Sequence, residues 1–110
     1  MAVQQFTLLS PRALENEDGP ERDEILDVGS FRSVAIHVRV PKAGSSGAIQ
    51  MMHSATKEDS AFMTVGDAVD LDSTTGGLIT IEPPLRYLSW KTTGTVAGDP
   101  VAGIEVIGRE

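Results

Sequence analysis

A chain of 110 residues with 40% hydrophobic content can bury one continuous core, and with three Phe, one Tyr and one Trp that core must be mostly aliphatic. Nine Lys and Arg against sixteen Asp and Glu give a net charge of -7, which repels polyanions and argues against nucleic-acid binding. The absence of cysteine excludes disulfides, thiolate metal sites and a cysteine nucleophile.

Met1 to Gln5 carries no basic segment followed by an apolar run, and no apolar stretch approaches a membrane span. The expectation is a soluble protein made in the reducing cytoplasm, with no membrane partner. Phe6 to Leu9 reads as an opening strand and residues 24–28 as a second. Between them, 15–24 (ENEDGPERDE) reads as an exposed acidic loop, because burying so many charges costs too much.

Period-two alternation then dominates. Val34, Ile36, Val38 and Val40 alternate with Ala35, His37 and Arg39, as in a strand with one buried face. Pro41 is expected to stop it, and 42–47 (KAGSSG) reads as a turn into a strand over 48–53. Which face of that strand is buried stays open, since Ile49, Met51 and His53 share one side and Gln50 and Met52 the other. Residues 54–60 (SATKEDS) read as a loop. Short strands follow at 61–65, ending at Gly66, and at 68–71, closed by the turn-rich 72–77 (DSTTGG).

LITIE, 78–82, is a good strand, and Pro83 and Pro84 must lie outside any central ladder. LRYLSWKTT, 85–93, is strand-like. GTVAGDP, 94–100, reads as a hairpin-like connection by its Gly-Asp-Pro turn chemistry, and VAGIEVI, 101–107, as the final strand. No helix, internal repeat or linker is evident. The fold expected is an all-β, antiparallel, jelly-roll-like β-sandwich of about eight short strands, one domain over 1–110.

Catalysis needs a nucleophile, a base and a group that orients the base. The bases of middling pKa are His37, on the more polar face of its strand, and His53, which shares a face with Ile49 and Met51. An enzyme reading would pair His53 with Glu58 or Asp59. No serine stands in a Gly-x-Ser-x-Gly elbow, and Gly94, Gly98 and Gly103 lack the following helix a phosphate cradle needs. The expectation is no enzyme and no cofactor. Two isolated histidines do not make a zinc site. Calcium takes oxygen ligands from loops, so Asp70 and Asp72, two apart beside a turn, are the metal candidates, with Glu17 and Asp18 as further contributors. Tyr87 and Trp90 invite a sugar-stacking reading, but three residues apart on a strand they face opposite ways. Trp90, alongside Leu88, is therefore assigned to the core.

Two stretches carry a resemblance. In 49–71 (IQMMHSATKEDSAFMTVGDAVDL), Gln50, Ser54, Asp59, Phe62 and Gly66 stand where small β-sandwich proteins of tailed phages and prophage-like particles have comparable residues. In 85–104 (LRYLSWKTTGTVAGDPVAGI), the Arg-Tyr-Leu strand, Gly-Thr, and a turn ending in Pro are similar to the closing hairpin of such proteins. Ser60 takes the place of a more usual glycine and Phe62 that of a tryptophan. The resemblance implies a virion or particle component, made in the cytoplasm, that decorates or joins a larger protein assembly. A discoidin-like module, binding carbohydrate or another ligand with calcium, is the competing resemblance. It rests on the Arg-Tyr-aliphatic strand and the closing GIEVIG, and lacks the usual cysteine pair.

Partners are thus expected to be other copies of the chain, as a homo-oligomer, and a larger assembly. An open sandwich leaves unpaired edge strands that must be paired, covered or charged. The expected contact residues are Phe6 and Leu8 near the N-terminus, and Tyr87 on an exposed strand face.

Overall fold

A computed structural model describes residues 3–17 and 25–110. Its strands are β1 (Val3–Ala13), β2 (Leu26–Asp27), β3 (Ser33–Lys42), β4 (Ser46–Ser54), β5 (Met63–Thr64), β6 (Val69–Asp70), β7 (Gly77–Ile81), β8 (Tyr87–Ala97) and β9 (Val101–Arg109), with one 3-10 turn at Asp59–Ala61. They form two antiparallel sheets, ordered β1-β9-β3-β7 and β2-β8-β4-β5, with β6 also on the free side of β4.

β5 pairs with Met52 and His53, and β6 with Ala48 and Ile49, so the two are one edge strand interrupted between Thr64 and Val69. Counted so, eight strands follow the jelly-roll order, and the chain changes sheet at almost every connection. This corrects the expected hairpin at 94–100. β8 continues through Gly94 to Ala97, residues 98–100 make the turn, and β9 then joins the opposite sheet between β1 and β3. The turn chemistry is as expected, but it reverses the chain across the sandwich rather than along one ladder.

Alternation explains the packing. Val34, Ile36, Val38 and Val40 on β3, with Ile104 and Val106 beside them on β9, face Ile49 and Met51 on β4 and Leu88 and Trp90 on β8, all within one buried cluster. Trp90 is fully buried, as its assignment to the core required. Pro41 does not end β3. It lies within the strand, where the register with β9 slips between Arg39 and Lys42, one of the few places a ladder accepts a residue without an N–H.

The first strand is longer than Phe6 to Leu9, and its register with β9 slips between Thr7 and Leu9. That irregularity lets Leu8 and Leu9, adjacent in sequence, both be buried. Residues 14–17 then run beside β8. The Thr92 N–H donates to the Glu17 carbonyl (3.0 Å), and the Val96 N–H to Asn16 Oδ1 (2.8 Å). They cover the β8 edge beyond the two residues paired with β2. Glu17, expected in an exposed loop, is instead half-buried and held by both guanidinium nitrogens of Arg12 at 2.7 and 3.0 Å. The rest of the expected acidic loop, with Asp18, lies outside the described residues.

Candidate interaction surface

The inner faces of the two sheets are packed with apolar side chains, and the candidate chemistry-bearing residues are exposed or half-buried around them. A depression of about 600 Å³, open to solvent, follows the side of the sandwich where β6 approaches β7 and includes Asp67, Asp70, Ser73 and Leu78. Asp70 is exposed on β6, and Asp72 is exposed just past the fully buried Leu71. Among the described residues, no three His, Asp or Glu side chains gather where they could share a metal ion.

The two histidines are separated by the sandwich. His37 is exposed on the outer face of β3, in register with Leu78 on one side and Glu105 on the other. Glu105 accepts a hydrogen bond from Thr7 Oγ1 (3.0 Å). His53 stands at the end of β4, half-buried, and its Nδ1 accepts the Leu85 N–H at 3.3 Å. Burial lowers its pKa below the usual histidine value. Its hydrogen bond goes to the chain entering β8, and among the described residues none joins it to Glu58 or Asp59.

Tyr87 opens β8 half-buried, beside Asp27 of β2 and Ser54 of β4. Lys57 Nζ lies 5.5 Å and the Arg86 guanidinium 5.2 Å from its ring centre. Two cations thus occupy the ring's surroundings, a cation–π arrangement that leaves no bare platform for a sugar. Arg86 also pairs with Asp27 at 3.3 Å. Asp27 Oδ1 accepts the Gly29 N–H (2.9 Å), and that bond first, joined by Arg86, holds the carboxyl below its ordinary pKa against the opposing desolvation.

Phe6 and Leu8, expected as contact residues, are engaged within the chain. Leu8 is only 8% exposed, and Phe6 is half-buried with its ring edge-on to Phe31 at 5.7 Å. Sequence reasoning passed over the exposed apolar residues: Leu78 (72% exposed), Val3 (58%), Met63 (57%) and Ile107 (37%). For Leu78 the signal was available, since in LITIE it takes the opposite parity to Ile79 and Ile81. By register, Val3, Ile107 and Leu78 lie with Gln5, Thr7, Ala35, His37 and Thr80 on the outer face of the β1-β9-β3-β7 sheet.

These features define a jelly-roll sandwich with a solid core and a mixed polar and apolar outer surface. Among solved structures the chain is similar to the SPBc2 prophage-derived protein YomS, with a TM-score of 0.55 at 14% identity over 97% of this chain and 94% of that one. It is less similar to a chain of the T13 particle of infectious bursal disease virus, with a TM-score of 0.45 at 14% identity over 99% of this chain and 31% of that one. For a Bacillus endospore appendage protein the TM-score is 0.42 at 11% identity, over 99% of this chain and 85% of that one. No family model and no curated protein matches the sequence. Among the described residues, no helix is long and apolar enough to cross a membrane.

Proposed function

We propose that this chain is a non-enzymatic structural component of a phage-like or other protein assembly, acting through protein–protein contacts as a decoration or particle subunit. One observation carries the reading. A jelly roll this small spends its inner faces on one aliphatic core, leaving its outer sheet faces and edge strands as the means of recognition. The likeness in fold to a prophage-derived protein, over nearly the whole of both chains, is in keeping with it. So is the dispersal of His37, His53, Asp70 and Asp72, none of which stands in a constellation suited to acid–base work.

The contacts proposed are the outer face carrying Val3, Ile107 and Leu78, and the end of the sandwich carrying Tyr87 with its two cations. The test is fractionation of particles from a strain bearing the gene. The chain is expected at fixed stoichiometry in the assembled-particle fraction, and Leu78→Asp is expected to reduce its incorporation without altering its melting temperature. Recovery only outside the particle fraction, while particles assemble normally, would overturn the proposal. A rise of several degrees in melting temperature with calcium and an oligosaccharide would do the same, because it would reveal a ligand site.

A further inference from the structure

The sheet edges differ sharply. On the second sheet, β2 has two residues and is continued by residues 14–17, and the β5–β6 edge is broken in the middle. On the first sheet, β7 has five residues, whereas β1 has eleven and, among the described residues, pairs with β9 along one side only. Short, broken or covered strands are how proteins blunt unpaired backbone groups, as are charges and prolines. Val3 to Ser10 contains neither a charge nor a proline, and Pro11 and Arg12 stand only beyond it. The register slip after Thr7 ends the regular strand, so the unblunted edge is Val3 to Thr7 with Gln5 at its midpoint.

We propose that β1 pairs antiparallel with β1 of a second copy about a two-fold axis at Gln5, joining two four-stranded sheets into one of eight. The inference rests on the assembly reading and specifies a contact that would serve it. Side-chain parity selects the axis. Residues opposite one another in an antiparallel ladder point to the same face, so a two-fold axis must pass through a residue, not between two. An axis at Gln5 sets Gln5 against Gln5, Val3 against Thr7, and Gln4 against Phe6. The first two pairs lie on the outer face, where all three residues are exposed. The third lies on the inner face, where the half-buried Phe6 gains cover from the stem of Gln4.

Charge favours a second copy as the occupant. In a chain of net charge -7, most self-contacts oppose carboxylates, whereas this segment brings no charge opposite a charge. The segment is also complementary to itself, with a β-branched pair either side of a glutamine pair that can exchange side-chain hydrogen bonds.

The test is sedimentation across a wide concentration range with Gln5→Lys and Gln5→Glu. Gln5 is exposed, so both variants are expected to melt as the parent does. Each should dimerise about tenfold more weakly, since like charges then stand directly opposite, and an equimolar mixture should recover the dimer. Hydrogen exchange gives a check without mutation: amides within Val3 to Thr7 should slow as concentration rises. Dimers equally strong in parent, both variants and mixture, with exchange in β1 unchanged, would overturn the edge pairing and leave the assembly reading standing. A parent that stays monomeric throughout would also overturn it, and particle fractionation would then decide the assembly reading separately.

Discussion

The Gln50 side chain bridges the break in the edge strand: its Nε2 donates to the Val65 carbonyl at 3.1 Å. The same nitrogen reaches the carbonyls of Gly66 (3.2 Å) and Met51 (3.0 Å). Ladder pairing to β4 lapses between Thr64 and Val69, where the Val65 N–H still donates to the Met51 carbonyl (2.9 Å), and the Gln50 amide supplies donors to the carbonyls of Val65 and Gly66. Gln50→Ala should therefore cost about 1–3 kcal/mol, measured as a lower urea midpoint at unchanged slope. A midpoint within error of the parent's would mean that water replaces the amide at no cost.

Gly76 has φ +70°, and a Cβ built on it would lie 2.5 Å from the Val38 carbonyl oxygen. Backbone atoms cannot yield as a side-chain tip can. Gly76→Ala is expected to lower stability by about 1–3 kcal/mol, combining left-handed strain with displacement of the β3 backbone. The check is a thermal melt, and a stabilised variant would refute the turn geometry.

Ile104 is fully buried at the centre of β9, the strand between β1 and β3. Ile104→Val should cost about 0.5–1.5 kcal/mol and Ile104→Ala about 2–5 kcal/mol. For a domain this small, the second loss is a large part of the total stability. Equal midpoints for the two variants would show that the site collapses around the cavity.

His53 makes stability depend on acid. Its Nδ1 must be unprotonated to accept the Leu85 N–H, and burial lowers its folded pKa. The unfolded chain therefore binds the proton more readily. The sign follows: the contribution is complete above the unfolded value of about 6.5 and is lost as pH falls through the lower folded value. His53→Gln should flatten this part of the stability–pH curve. A histidine-dependent rise in stability on acidification would contradict the hydrogen bond's direction.

Much of the fold was legible because the inner faces are almost wholly apolar. Val34 to Val40 and the parity of Trp90 with Leu88 could be read from alternation alone. β4 resisted because both its faces are partly buried. Ile49 and Met51 point into the core, while Met52, on the other face, is only 6% exposed. The 94–100 stretch misled because turn residues say that a chain reverses, and not whether the next strand pairs beside the last or crosses to the other sheet. Of the five residues that carry the first resemblance, Gln50, Ser54, Asp59, Phe62 and Gly66, four have a visible architectural role. Gln50 spans the break, Ser54 Oγ accepts the Thr56 N–H, Phe62 is buried, and Gly66 has φ +72°.

The candidate surface was harder to read. The slip at Leu8 is invisible to a strict two-residue period, so alternation alone does not show that Leu8 is buried, while Phe6 is half-buried against Phe31. The free length of β1 depends on which strands lie beside it. His53 and Leu85 are 32 residues apart, a proximity that no local pattern encodes.

Because β1 has β9 as its neighbour, β1 finds its place only after β9 has left the ribosome. Until then the uncharged segment Val3 to Ser10 waits unshielded, and closure of the first sheet is tied to the synthesis of β9. A ribosome stalled before Val101 would hold a chain without the strand that joins β1 to β3, a form exposed to proteases and to premature association with its own kind.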